Sequence, residues 1–282
     1  MRMRVTVGDT RLFFDVEGAS LMPDGPRMRQ RPTVVLLHGG PGFDHSEYKP
    51  YLGPLADCAQ LIYLDHIGQG RSEPSDPSTW NLRSSAAAVR DFCDALEIER
   101  PVVLGASFGS FVALRYAIDY PEDLSKLILM ATGARNDLQL VGAAMERLGT
   151  ERHRSVAERF FAEPNEQTEA EYIEVCLPLY SVAPEDPDAI KRAVRRPEVT
   201  RHFVRGEFMR FDHREGAAGV RCPVLILNGD KDPITPIEGA RELAHALPLD
   251  LAELVTIEGA AHELLRDALD RVMPLLRGFI GS

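Results

Sequence analysis

Gly105-Ala106-Ser107-Phe108-Gly109 is a G-x-S-x-G pentapeptide set between an apolar run, Pro101–Leu104, and a segment of helical spacing, Phe108–Tyr120. That setting suits a nucleophile. On a tight strand-to-helix turn the serine hydroxyl is lifted clear of the sheet edge, small neighbours let backbone pass close by, and the helix N-terminus favours negative charge developing beside it. A serine hydroxyl is weak alone. It needs a base, and the base needs an acid that orients it. His262, in Gly259-Ala260-Ala261-His262-Glu263, and Asp232, in Asn228-Gly229-Asp230-Lys231-Asp232-Pro233, each lie just after an apolar run. Ser107, Asp232 and His262 are therefore the candidate catalytic triad, in the chain order Ser, Asp, His. Asp230 is assigned to turn hydrogen bonds instead. His38-Gly39-Gly40-Pro41-Gly42 follows another apolar run and makes a tight loop whose amides can point inward. Acyl transfer needs two such donors for the tetrahedral oxyanion. The amides of Gly40 and Phe108 are the expected pair, with His38 bracing the loop.

Elements must bring these residues to one edge. Val5–Val7 and Arg11–Val16 alternate around Gly8-Asp9 and predict an N-terminal hairpin; Gly18–Pro32, rich in Gly, Pro and charge, predicts a long surface loop. Thr33–Leu37, Leu61–Leu64, Pro101–Leu104, Leu127–Met130, Val224–Leu227 and Glu253–Ile257 are short apolar runs that predict strands buried on both faces. Helical spacing at Ser84–Leu96, Phe108–Tyr120, Ile237–Ala246 and Leu264–Phe279 alternates with them. This is the pattern of an α/β fold with an open, mostly parallel sheet flanked by helices. Residues 135–219 break the rhythm with candidate helices at Asp137–Leu148, Ser155–Phe161, Glu169–Leu179, Asp188–Arg195 and Phe203–Phe211. They predict a helical cap inserted into a core made of residues 1–134 and 220–282, over the carboxyl edge where open α/β sheets bind ligands.

With those landmarks in place, the sequence resembles an α/β-hydrolase over nearly its whole length. HGGPG, then Asp65-His66-Ile67-Gly68-Gln69-Gly70-Arg71-Ser72, then GASFG, GDKDP and GAAHE are similar to the proline iminopeptidase branch. That resemblance implies release of N-terminal proline from small peptides. The branch usually carries D-Q-R-G and G-x-S-W-G, where this chain has Asp65-His66-Ile67-Gly68 and Phe108. It also needs acidic side chains, usually from the cap, to hold the free α-amino group. Glu169, Glu171, Glu174, Glu198 and Glu207 are available, but none sits in a matching motif and each is read as a solvated carboxylate.

The remaining composition excludes more than it assigns. The chain has 282 residues, a net charge of −11 and 27% charged residues. An acidic balance argues against nucleic acid and against anionic lipid, which call for basic surface. No run of about 20 apolar residues predicts a membrane span, and no apolar segment of signal-peptide type follows the N-terminus. Cys58, Cys93, Cys176 and Cys222 are far apart, without metal spacing, and read as free thiols of a cytoplasmic protein. The expected chemistry needs no cofactor and no metal. The expected partner is a small molecule or a short peptide. Phe43, beside the oxyanion loop, is a candidate pocket residue, with Trp80 a weaker one. Two function classes remain: a serine hydrolase, cleaving either peptides or small esters and lactones, and a non-catalytic small-molecule receptor of the same fold. Ser107 at the elbow argues against dehalogenase and epoxide-hydrolase chemistry, which places an aspartate there.

Overall fold

The computed structural model describes residues 3–184 and 186–282. Strands β1 (Met3–Val7), β2 (Thr10–Glu17), β5 (Thr33–Leu37), β6 (Gln60–Leu64), β7 (Val102–Ala106), β8 (Lys126–Met130), β9 (Val224–Gly229) and β10 (Ala252–Ile257) form one eight-stranded sheet in the order β1-β2-β6-β5-β7-β8-β9-β10. β1 pairs β2 and β2 pairs β6 antiparallel; every later pairing is parallel. The expected hairpin and the six apolar strands are all present.

The apolar strands serve two cores at once. Side chains alternate across a strand, so Val35, Leu37, Val103, Leu127 and Leu129 fill one face of the sheet. Val34, Leu36, Val102, Leu104 and Ile128 fill the other. Helices α1 (Leu82–Ala95), α2 (Phe108–Asp119) and α7 (Ile237–Ala246) cover the first face, and α8 (Leu269–Gly281) covers the second. Leu36 and Leu37 are fully buried; truncating either to Ala costs about 2–5 kcal/mol.

Between β8 and β9 the described residues contain helices but no strand. α3 (Leu138–Leu148) is capped by Asp137, α4 (Glu151–Ala162) by a capping box on Thr150, and α5 (Glu166–Val175) by a capping box on Asn165; α6 (Pro197–Arg205) follows. Their apolar faces do not enclose a separate core. Met145, Phe160, Phe161, Phe203 and Phe208 belong to the same continuous cluster as the first sheet face. The cap is thus seated by the sheet domain rather than folded beside it.

Several boundaries differ from the sequence expectation. The predicted loop at Gly18–Pro32 contains a two-stranded ribbon, β3 (Leu21–Asp24) with β4 (Arg27–Gln30), turned at Gly25 with φ +59°. Its residues are mostly exposed, so no buried alternation marks it. Glu169–Leu179 divides at Pro178 into α5 and a short 3₁₀ turn, Leu177–Tyr180. The helix expected at Phe203–Phe211 begins earlier, because Pro197 opens α6 at its first turn, where a missing N–H costs nothing. Asp188–Arg195 shrinks to one turn, Ala189–Arg192. The last helical segment breaks at Ala268, between Leu264–Asp267 and α8.

Candidate active site

Ser107 stands between β7 and α2 with φ 52° and ψ −120°, in a strained backbone conformation for a residue bearing a side chain. The flanking glycines are steric necessities. A Cβ on Gly109 would lie 1.9 Å from the Leu37 carbonyl oxygen, and one on Gly105 would lie 2.2 Å from that of Gly109. Helix α2 can approach β5 and β7 this closely only through bare backbone, and that approach lifts Ser107 above the sheet edge.

Asp232 and His262 arrive from the ends of β9 and β10. Asp232 Oδ2 accepts from His262 Nδ1 at 2.8 Å and from the Thr235 hydroxyl at 2.6 Å; its Oδ1 accepts the amides of Ile234 and Thr235 at 2.9 and 2.8 Å. The carboxylate is 1% exposed and fully supplied with donors. Burial alone would lower the His262 pKa, but the Asp232 charge and hydrogen bond outweigh it and hold the imidazole above the ordinary histidine range. Asp230 accepts from the Gly259 amide at 2.6 Å, in the turn role expected for it. Among the described residues Ser107 and His262 line one cavity without a direct hydrogen bond between them. Such contacts are commonly loose until substrate arrives.

The loop after β5 is held from several sides. Gly40 has φ +44° and Gly42 φ +85°. The Gly39 amide donates to Glu47 Oε1 at 2.5 Å, the Gly42 amide to Gln69 Oε1 at 2.6 Å, and the Phe43 amide to the Gly40 carbonyl. Among the described residues the Gly40 and Phe108 amides donate to no acceptor; Phe108 opens α2, where the first N–H groups have no partner within the helix. His38 Nδ1 donates to the Gly39 carbonyl at 2.9 Å and its Nε2 accepts the His66 amide at 3.2 Å, so it is a buried brace. Asp65 supports the neighbouring turn, accepting the His45 and Arg71 amides and His45 Nδ1.

The cap is fastened to this same loop. The Arg196 amide donates to the Gly42 carbonyl at 2.7 Å, the Thr200 hydroxyl to the Pro41 carbonyl at 2.5 Å, and the Val194 amide to Asp44 Oδ2 at 2.8 Å. Asp44 is in turn ion-paired with Arg71.

Sheet edge and cap enclose a cavity of about 240 Å³ containing Ser107, His262, Gly40 and Phe108. Phe43 lines it as expected. Trp80 does not: its indole packs edge-on against His202 and donates to Ser75. Much of the wall is aromatic, with Phe108, Phe203, Phe208 and Phe161 in successive ring contacts of 5.0 to 5.8 Å. Tyr180 packs edge-on against His262 at 4.9 Å and shares a 2.6 Å hydroxyl contact with Tyr172.

Of the three acids in the wall among the described residues, sequence reasoning named Glu169 and missed Glu47 and Glu263. Glu47 and Glu263 both line the cavity, one after the glycine loop and the other next to His262. Crowding by protein around the cavity pushes both carboxyls up, reinforced at Glu47 by the Glu263 charge; Glu47 reaches about 8. Neither forms a salt bridge to Lys or Arg among the described residues. Glu263 carried one signal in the sequence, its adjacency to His262; Glu47 carried none. The cap glutamates behave differently. Glu169 is buried, not solvated, and accepts from Arg201 at 2.7 Å. Glu207 accepts the Leu82 amide and Glu171 pairs with Arg159, while Glu174 and Glu198 face solvent.

One sheet edge thus carries a strained serine, a paired histidine and a glycine loop beneath a helical cap, and the sequence matches the family model for the alpha/beta hydrolase fold over residues 32–268. The chain belongs to that family and is a hydrolase. It is similar to a proline iminopeptidase, PfmaB, of Pestalotiopsis fici, with 24% identity over 95% of this chain and 98% of the relative. It is also similar to a 2-hydroxy-6-oxo-6-phenylhexa-2,4-dienoate hydrolase of Comamonas testosteroni, with 29% identity over 75% of each chain. Among solved structures, a proline iminopeptidase of Mycobacterium smegmatis superposes with a TM-score of 0.79 at 20% identity, covering 99% of this chain and 97% of that one.

Proposed function

We propose that the protein is a serine hydrolase of the acyl-enzyme type that releases the N-terminal residue, proline by resemblance, from short peptides. Ser107 attacks the substrate carbonyl while His262 takes its proton. Asp232 keeps the imidazole in the right tautomer, and the Gly40 and Phe108 amides receive the oxyanion. His262 then protonates the departing amine and activates the water that resolves the acyl-enzyme.

The observation that carries the peptide reading is the pair Glu47 and Glu263. Two carboxyls with no salt bridge to Lys or Arg among the described residues line the cavity of Ser107. Left empty, the site holds the Glu47 carboxyl up at about 8 and raises that of Glu263 as well. A substrate ammonium beside them restores the charge of Glu47 and repays its desolvation. The family-typical supply of these acids from the cap does not apply, because Glu169 is already committed to Arg201. Four cysteines without disulfide partners support a reducing, cytoplasmic setting.

The aromatic wall and the spent cap glutamate favour a second reading, hydrolysis of a small ester or lactone with an apolar acyl group. A panel of proline 2-naphthylamide, p-nitrophenyl esters and lactones, run with wild type and Ser107→Ala, decides. Cleavage of the proline amide, lost in Ser107→Ala, supports the peptide reading; ester or lactone turnover with no amide cleavage transfers the site to the second. Ligand binding with no turnover of any member identifies a receptor.

A further inference from the structure

The geometry points to Arg195 as the receptor for a carboxylate on the substrate, which makes short peptides with a free C-terminus the preferred substrates. The inference rests on the hydrolase reading of Ser107 and, for the peptide itself, on the ammonium site at Glu47 and Glu263.

Arg195 is the only Lys or Arg that lines the cavity among the described residues. Its backbone is fixed on both sides. The amides of Val194 and Arg196 donate to Asp44 and to the Gly42 carbonyl, so Arg195 is pinned directly over the oxyanion loop. Its guanidinium lies 5.1 Å from the Phe43 ring centre. That ring packs so tightly on Gly40 that a Cβ there would meet it at 2.8 Å. The cation is thereby held beside an expected oxyanion donor rather than out in solvent, and its side chain is 28% exposed.

The donors of this guanidinium are unspent. Among the described residues it makes no hydrogen bond. Its ion-pair partner among the described residues, Glu169, which also lines the cavity, is 3.8 Å away, beyond hydrogen-bond range, and the other oxygen of Glu169 is taken by Arg201 at 2.7 Å. A planar guanidinium offers five N–H groups in a fork that fits a carboxylate with two bonds. Phe43 supplies a face but no acceptor. A pinned, partly desolvated cation with free hydrogen-bond donors, in a cavity whose wall also carries the Glu47 and Glu263 carboxyls, is complementary to a zwitterion. The ammonium goes to Glu47 and Glu263 and the carboxylate to Arg195. A cavity of about 240 Å³ is at the small end for ligand sites, which suits a dipeptide better than a longer chain.

The test uses two matched pairs on the full-length protein: prolyl-alanine against prolyl-alanine amide, and the p-nitrophenyl monoester of glutaric acid against p-nitrophenyl butyrate. Each is measured with wild type, Arg195→Met and Arg195→Lys. Wild type is expected to prefer the free acid through KM. Arg195→Met lowers the acid-to-neutral ratio of kcat/KM about 10- to 100-fold, and Arg195→Lys recovers part of it. Where turnover is slow, calorimetric binding to Ser107→Ala gives the same ratio. A wild-type ratio near one, a ratio unchanged in Arg195→Met, or no detectable binding of either acid overturns the proposal. So does equal slowing of both members together with a lower Tm, the mark of a purely structural arginine. If the prolyl pair fails while the ester pair keeps its acid preference, the peptide reading falls and Arg195 stands.

Discussion

Asp232 and Glu47 belong to two loops at the same sheet edge, and both act electrostatically on His262, yet the molecule treats their carboxyls in opposite ways. The loop after β9 surrounds Asp232 with two amides, a hydroxyl and an imidazole. The loop after β5 gives Glu47 one amide, and the segment after β10 puts a second acid, Glu263, in its field. One carboxylate has every partner supplied by the protein, and its proposed role is orientation. The other is left short of donors and of positive charge, a state that costs stability unless a ligand completes it.

The harshest probe of this contrast is the chemistry that both loops serve. Ser107→Ala is expected to lower kcat about 10⁴- to 10⁶-fold, and Asp232→Asn about 10³- to 10⁴-fold, because the amide cannot hold the working tautomer of His262. Stopped assays on any cleaved substrate check this, and a loss under tenfold for Asp232→Asn removes Asp232 from its role.

A smaller effect isolates the second loop. Glu47→Gln is expected to raise KM for an amine substrate about tenfold while changing a neutral ester much less; equal changes in both would return Glu47 to a structural part. The same variant has a stability signature. The carboxyl titrates near 4.5 when unfolded and near 8 when folded, so the folded chain holds the extra proton between those values. Its stability contribution is fully present below the lower value and is lost as pH rises toward the upper one. Glu47→Gln should therefore gain Tm over wild type at pH 8.5 and much less at pH 5. A Tm difference independent of pH contradicts the contrast.

The strands, the elbow and Asp232 were legible in sequence because each rests on a local rule. An unbroken apolar run reads as a two-face strand, and glycines around a serine read as a close backbone crossing. Glu47 obeys no such rule. It lies in the polar stretch Asp44-His45-Ser46-Glu47, and only the return of β10 to the sheet edge brings Glu263 beside it. Arg195, Arg201 and the burial of Glu169 are equally silent, since helices of an insertion meet by packing rather than by period. The ribbon β3–β4 escaped because an exposed ribbon needs no apolar alternation.

Two gentler measurements complete the comparison. With His262 held above its ordinary range by Asp232, kcat/KM for a neutral ester should rise with pH through a midpoint above about 6.5, as the imidazole becomes the free base. A midpoint below that value would mean that burial, not Asp232, governs the histidine. Glu171, a cap carboxylate paired with Arg159 near the surface, is the control for an acid that does neither job. Glu171→Ala should move Tm by less than about 2 °C and leave kcat/KM unaltered.

The fastening of the cap to Pro41 and Gly42 has a consequence for how such a protein can be altered. The hydroxyl of Thr200 and the amide of Arg196 are, in effect, part of the proposed oxyanion loop, although they come from the helical segment between β8 and β9. Exchanging the helical insertion for that of a relative would replace the roof of the cavity and the scaffold of the loop together. A graft that kept Val194 to Thr200 as host sequence should transfer selectivity with the turnover machinery intact, whereas one cut on the sheet side of that segment should forfeit rate as well.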